Sequence, residues 1–183
     1  MIFRLGSGID NIDLNETRKK KIIVKKSGIS LDKAVGELTI AIALNLLRKI
    51  NNHDQNLKKG IWKKEMGNLL YGKTVGIIGY GNVGIYVSKL FKGFGANILI
   101  NDIKKIKKKV KLNKLLLKSD IISIHTNFIK GNDYLLDRRR LKLIKKESIL
   151  INTSRPEVID YNYLYKLLKK KEIKAAGLDV FNN

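Results

Sequence analysis

The string Val75-Gly76-Ile77-Ile78-Gly79-Tyr80-Gly81-Asn82-Val83-Gly84 constrains this chain more than any other part of it. An apolar run of strand length, Thr74–Ile78, leads into three spaced glycines. Beyond them Val83, Val87, Leu90, Phe91 and Phe94 recur at helical spacing. A second apolar run, Asn97–Asn101, ends in Asp102, eighteen residues after Gly84. Strand, tight turn, helix and strand in that order predict a right-handed βαβ unit with parallel strands. Each glycine has a separate task in such a unit. Gly79 allows the sharp turn out of the strand. Gly81, with no Cβ, lets a ligand approach the backbone. Gly84 lets the helix pack closely on the sheet.

The free N–H groups around Asn82 and Val83 open a helix, and with the helix dipole they face any anion seated there. This pattern is the dinucleotide-binding fingerprint of a Rossmann unit, and Asp102 stands where its ribose-binding acid belongs. A carboxylate there accepts hydrogen bonds from both ribose hydroxyls and repels a 2′-phosphate, so NAD is favoured over NADP. A tight βα turn without a ligand is the competing reading. The flanking strands and the acid weigh against it.

From Lys73 onward, strand-like and helical runs alternate. The expected strands are 74–78, 97–101, 121–125, 148–152 and 175–179. The expected helices are 82–94, 112–117, 138–144 and 161–169. The strands are apolar throughout, as parallel strands covered on both faces must be. The fold class is therefore α/β with a doubly wound parallel sheet. Before it, a helix over 31–50 carries apolar residues around much of its circumference and is expected to be buried on more than one side. A polar connector over 51–70 follows, with the sole tryptophan, Trp62.

The chain has 183 residues, 44% of them hydrophobic, enough for one domain with a real core plus a fragment. It has no cysteine, which excludes disulfides and thiolate metal sites, and no metal site is expected. No apolar run reaches membrane-spanning length, the N-terminus lacks a signal-peptide core, and a cytoplasmic protein without membrane contact is expected. The net charge is +22. Charge of that size raises nucleic-acid binding as a reading. The lysines, however, are spread along the whole chain without interleaved aromatic platforms, which fits a solvated surface better. Such a field also attracts anionic cofactors and substrates.

Several further strings resemble one family, the D-isomer-specific 2-hydroxyacid dehydrogenases, which include D-3-phosphoglycerate dehydrogenase. Residues 4–13, RLGSGIDNID, resemble its R-x-G-x-G-x-D-N-x-D loop. Residues 35–40, VGELTI, resemble the start of its interdomain helix, with Gly36 where the family usually has alanine. Residues 119–125, SDIISIH, 149–155, ILINTSR, and 176–181, AGLDVF, resemble the strand leading to its cofactor-lining loop, its arginine motif and its A-x-L-D-V-F strand.

The resemblance implies a role for each matching residue. Arg155 would hold the substrate carboxylate or carbonyl, which a planar guanidinium does well. Ser7 and Gly8 would offer backbone N–H groups to the carboxylate. Asp179 would bond the nicotinamide carboxamide, and Ser154 and His125 would line the cofactor cleft. The residues alone also allow plainer roles. Arg155 fits a surface ion pair, Ser7-Gly8 an ordinary turn, and Asp179 a cap. His125 fits a structural wall better than a proton donor.

The departures from the family are specific. Pro156 stands where glycine usually follows the arginine, biasing Arg155 to an extended backbone. Thr126 stands where a proline usually follows the cleft histidine. The family's catalytic glutamate and histidine fall beyond Asn183, and the front of its substrate domain falls before Met1. The expected organisation is a substrate-domain remnant over 1–30 and an NAD-binding domain over 31–183, including the interdomain helix. The expected activity is hydride transfer between NAD(H) and a 2-hydroxy or 2-keto acid, with 3-phosphoglycerate among the candidate substrates, in a homodimer that buries part of the helix over 31–50. A non-catalytic NAD-binding module, either a truncated product or a dinucleotide-sensing regulator, is the second reading, and a basic nucleic-acid-binding protein the third.

Overall fold

The first thirty residues, for which no elements are predicted, contain a small βαβ piece of their own. In the computed structural model, which describes residues 1–5, 8, 12–27, 31–126 and 134–181, β1 (Ile2–Arg4) pairs in parallel with β2 (Val24–Lys26). Between them runs α1 (Leu14–Lys19), whose N-cap Asp13 accepts from the N–H groups of Asn15 and Glu16. Strands of three residues give no readable alternation, which is why sequence pattern misses them.

The expected long helix forms as α2 (Asp32–Arg48) and stops at Lys49, whose backbone is left-handed at φ 57°. A separate helix, α3 (Ile50–Lys58), follows it, so the stretch read as a polar connector is helical over its first eight residues. The reason for the miss is visible: α3 buries no residue and so carries no apolar stripe. Asn45 Oδ1 accepts the Asn51 N–H at 2.9 Å and caps the new helix.

The main body follows the predicted alternation closely. It comprises β3 (Thr74–Ile78), α4 (Asn82–Gly93), β4 (Asn97–Asn101), α5 (Leu112–Lys118), β5 (Ile121–Ile124), α6 (Arg138–Leu141), β6 (Ile149–Asn152), α7 (Tyr161–Lys169) and β7 (Ala175–Leu178). The five strands form one parallel sheet in the order β4-β3-β5-β6-β7. Alternate side chains enter opposite cores. On one face Val75, Ile77, Ile121, Ile149 and Ile151 pack with Ile40, Ala43 and Leu47 of α2 and Val87 and Phe91 of α4. On the other, Ile78, Ile122, Ile124 and Leu150 pack with side chains of α5, α6 and α7, among them Leu115, Leu141 and Leu164. Both faces are covered, so both sets are apolar, and a doubly wound α/β fold results.

Inside the chain α2 is buried against α4 and the strands β6 and β7, while Ala34, Leu38 and Ala41 along it stay exposed. Gly36 explains its own departure from the family pattern. A Cβ there would lie 2.5 Å from Cδ1 of Tyr86, so the glycine leaves room for the tyrosine ring of α4 to lie against α2. No described helix is long and apolar enough to cross a membrane.

Candidate functional site

The two neighbours of β3 are reached by connections that leave in opposite directions. The carboxyl ends of β3 and β5 therefore part into a crevice, which is where open parallel sheets bind ligands. The glycine turn sits at its mouth. Gly79 has φ 89°, and a Cβ on it would lie 2.5 Å from the carbonyl oxygen of His125 at the end of β5. Only glycine fits both constraints. A Cβ on Gly84 would collide with the carbonyl oxygen of Gly79, so the first turn of α4 packs directly on the loop. Gly81 is the opposite case. It caps α4, and no atom lies within 4 Å of where its Cβ would be. Open space there, with the N–H groups of Asn82 and Val83 starting a twelve-residue helix, is the shape and polarity a pyrophosphate requires.

Asp102 lies at the end of β4, across from the glycine turn. Its Oδ2 accepts the Tyr80 N–H at 2.6 Å and its Oδ1 accepts the Lys104 N–H at 2.7 Å. Burial pushes its pKa up. The two backbone donors and the charges of Lys104 and Lys109 outweigh that and hold the carboxyl below its usual range. The acid is thus ionised and oriented, and each oxygen keeps acceptor capacity for a ribose hydroxyl.

His125 forms the wall between β3 and β6. Thr39 Oγ1 donates to the Val35 carbonyl at 2.7 Å, and it lies 3.3 Å from Thr153 Oγ1. Thr153 Oγ1 is 3.5 Å from His125 Nδ1, and Ser123 Oγ is 2.8 Å from His125 Nε2. Since Thr39 spends its proton on Val35, Thr153 donates to Thr39 and accepts from Nδ1–H, while Ser123 donates to Nε2. Both ring nitrogens are occupied within the protein. Burial lowers the His125 pKa from 6.5 to about 4, so the ring is neutral at pH 7. This arrangement suits a wall and not a proton donor.

Linkage turns that into a measurable effect. The unfolded chain takes up a proton at His125 below about pH 6.5, and the folded chain only near pH 4. The contribution is complete above pH 6.5 and is lost as pH falls through that window, by about 2 kcal/mol at pH 5. Chemical denaturation at pH 7 and pH 5 should show the loss, and His125→Gln should flatten it. A parent whose stability is the same at both values would refute this environment for His125.

At the ends of β6 and β7 the chain presents Ser154, Arg155 and Asp179. The backbone of Arg155 is extended at φ −139°, as the following proline demands, and Pro156 opens a short 3₁₀ turn, Pro156–Val158. Arg155 Nη1 donates to the Ser154 carbonyl at 2.9 Å. Ser154 turns its hydroxyl back to Asn152 Oδ1 at 2.8 Å. The Asp179 N–H donates to the Asn152 carbonyl at 3.0 Å, and its side chain is exposed above the sheet. Gly8 lies beside β1, its carbonyl accepting from Arg4 Nε at 3.0 Å, and Ser7 falls outside the described residues.

The sheet thus brings Gly79, Gly81, Asn82, Val83, Gly84, Asp102, His125, Ser154, Arg155 and Asp179 to one edge. Sequence reasoning passed over Asn152, Ser123 and Tyr161, which support that edge. Asn152 and Ser123 carried a signal, as polar residues within buried strands of isoleucine and leucine. Tyr161 carried none.

Comparisons with known proteins bear on this geometry. Residues 40–183 match the family model described as D-isomer specific 2-hydroxyacid dehydrogenase, NAD binding domain. The chain is 37% identical to D-3-phosphoglycerate dehydrogenase of Methanocaldococcus jannaschii, with 99% of the chain and 37% of that protein aligned. It is also 37% identical to glyoxylate reductase of Thermococcus litoralis, over 99% of the chain and 60% of that protein. Among solved structures it resembles D-lactate dehydrogenase from Aquifex aeolicus complexed with NAD and lactic acid. The TM-score is 0.87 at 31% identity, over 96% of the chain and 56% of that one. The chain therefore spans less than two thirds of each of these proteins.

Proposed function

Because the chain belongs to the D-isomer-specific 2-hydroxyacid dehydrogenase family and carries its NAD-binding domain, we propose that it is the cofactor-holding part of an NAD-dependent oxidoreductase that interconverts 2-hydroxy and 2-keto acids. One observation supports this reading above the rest. The glycine turn, Asp102, Arg155 and Asp179 stand along one edge of one sheet, in the order a dinucleotide and a small acid would meet them. When bound, the nicotinamide supplies the hydride chemistry. The chain's own residues do the rest. Gly81, Asn82 and Val83 hold the pyrophosphate, and Asp102 takes the adenosine ribose. His125 and Ser154 wall the cleft, Asp179 fixes the carboxamide, and Arg155 orients the acid.

In this reading residues 1–30 are part of a substrate domain, and Ser7 and Gly8 offer N–H groups to the carboxylate. The names of the relatives differ in their acid, so 3-phosphoglycerate stands beside glyoxylate and lactate as a candidate substrate. The test is a titration with NADH, followed by a panel of these acids on a protein that carries the chain within a complete substrate domain. Binding of NADH without turnover of any acid would favour the second reading, a non-catalytic NAD-binding module. That reading draws on the placement of His125 within the wall. Failure to bind NADH would end both.

A homodimer is part of the proposal. Its expected surface is α2, along which Ala34, Leu38 and Ala41 stay exposed, and just after it in the chain Trp62 is 86% and Met66 80% exposed, with Leu69 and Tyr71 also exposed. Apolar side chains exposed in this way suit an association surface. Sedimentation should show a dimer at micromolar concentration and a monomer for the double variant Trp62→Ser, Met66→Ser. A monomeric parent would overturn it.

A further inference from the structure

The two loops proposed to face the nicotinamide and the acid leave different strands. The arginine loop, 153–155, leaves β6, and Asp179-Val180 leaves β7. Beneath them lies a buried junction. Asn152 ends β6 and is fully buried. Its Nδ2 donates to the Arg155 carbonyl at 2.9 Å and to the Tyr161 hydroxyl at 3.1 Å. Its Oδ1 accepts from the N–H and the hydroxyl of Ser154, at 3.0 and 2.8 Å. The Tyr161 hydroxyl in turn donates to the Val180 carbonyl at 2.9 Å. Every hydrogen-bonding position of the Asn152 side chain is used, and the tyrosine hydroxyl is used once as acceptor and once as donor.

From this junction we infer that Tyr161 is a positioning residue, whose hydroxyl ties the arginine loop to the loop after β7 so that Arg155 and Asp179 are set as one unit. The inference rests on the reading of the site given above. Tyr161 opens α7, which packs on the core through Leu164 and Leu167. The hydroxyl is therefore carried on a fixed element and not on a loop. Its environment fits a protonated hydroxyl: burial raises the phenol pKa, and the proton stays available for Val180. Without the hydroxyl, one Asn152 N–H and the Val180 carbonyl lose their partner. The two loops then lose this tie and keep the backbone bond from Asp179 N–H to the Asn152 carbonyl. Pro156 limits the arginine loop from its other side, so the pair Pro156 and Tyr161 brackets Arg155.

The experiment compares the chain and its Tyr161→Phe variant in binding NADH and ADP-ribose, which lacks the nicotinamide. The variant should bind NADH roughly fivefold more weakly, the factor a lost hydrogen bond of ordinary strength corresponds to. Its affinity for ADP-ribose should be unchanged, because the glycine turn and Asp102 are untouched. At saturation the nicotinamide fluorescence lifetime should fall toward that of free NADH. Equal affinity of parent and variant for NADH overturns the inference and leaves the functional reading standing. Equal weakening for both ligands also overturns it, since Tyr161 would then be a general structural residue. A parent that binds neither ligand brings down the functional reading, and the inference with it.

Discussion

A polypeptide of residues 1–183 is expected to bind NADH and yet to reduce hydroxypyruvate or glyoxylate about 10²–10⁴-fold more slowly than a dehydrogenase of this family with a placed proton donor. Reduction of a keto acid needs a proton at the carbonyl oxygen as hydride arrives at carbon. The chain has two histidines. His125 is held neutral by burial, and its two nitrogens face Ser123 and Thr153. His53 sits on α3, in a hollow lined by Leu57, Ile61 and Trp62. Arg155 can orient an acid through paired hydrogen bonds. Binding is measured by fluorescence titration and turnover by loss of NADH absorbance. Turnover of ordinary magnitude by this polypeptide would show that a proton donor has been misassigned, and His125→Gln would be the first variant to examine. In a protein that carries a complete substrate domain, Arg155→Ala should lower turnover far more than it weakens NADH binding.

The second large effect is on cofactor choice. The parent should clearly prefer NADH to NADPH, and Asp102→Ala should weaken NADH binding by about 10- to 100-fold, as loss of charge-assisted hydrogen bonds does. NADPH should suffer less, because the repulsion of its 2′-phosphate goes with the carboxylate, while Lys104 and Lys109 remain nearby. Asp102 also anchors the Tyr80 and Lys104 N–H groups, so alanine loosens the turn as well. Asp102→Asn separates the two effects. It keeps an acceptor and loses the charge, so it should recover part of the NADH affinity while still admitting NADPH better than the parent does. Equal affinity of the unmutated chain for both cofactors would refute the role given to Asp102.

Local pattern sufficed for the main sheet because each of its signals acts within a few residues. Apolar runs mark strands covered on both faces, as Ile121–Ile124 and Ile149–Asn152 are. The glycine spacing marks a turn that only residues without a Cβ can make, and right-handed crossovers then give a doubly wound sheet. The same reasoning failed where burial is absent or elements are short: α3 buries nothing, and β1 and β2 have three residues each.

The sequence by itself determined the fold class, the glycine turn, the acid at Asp102 and the extended backbone of Arg155, since each depends on neighbours in the chain. Tertiary structure alone decided what depends on contacts between distant residues. Thr39, Ser123 and Thr153 come from α2, β5 and the arginine loop, and together they fix the tautomer of His125. Tyr161 meets Val180, nineteen positions away, only because α7 begins beneath the end of β7. Asn152 links the two because a buried amide must find partners for all its polar atoms, wherever the chain supplies them.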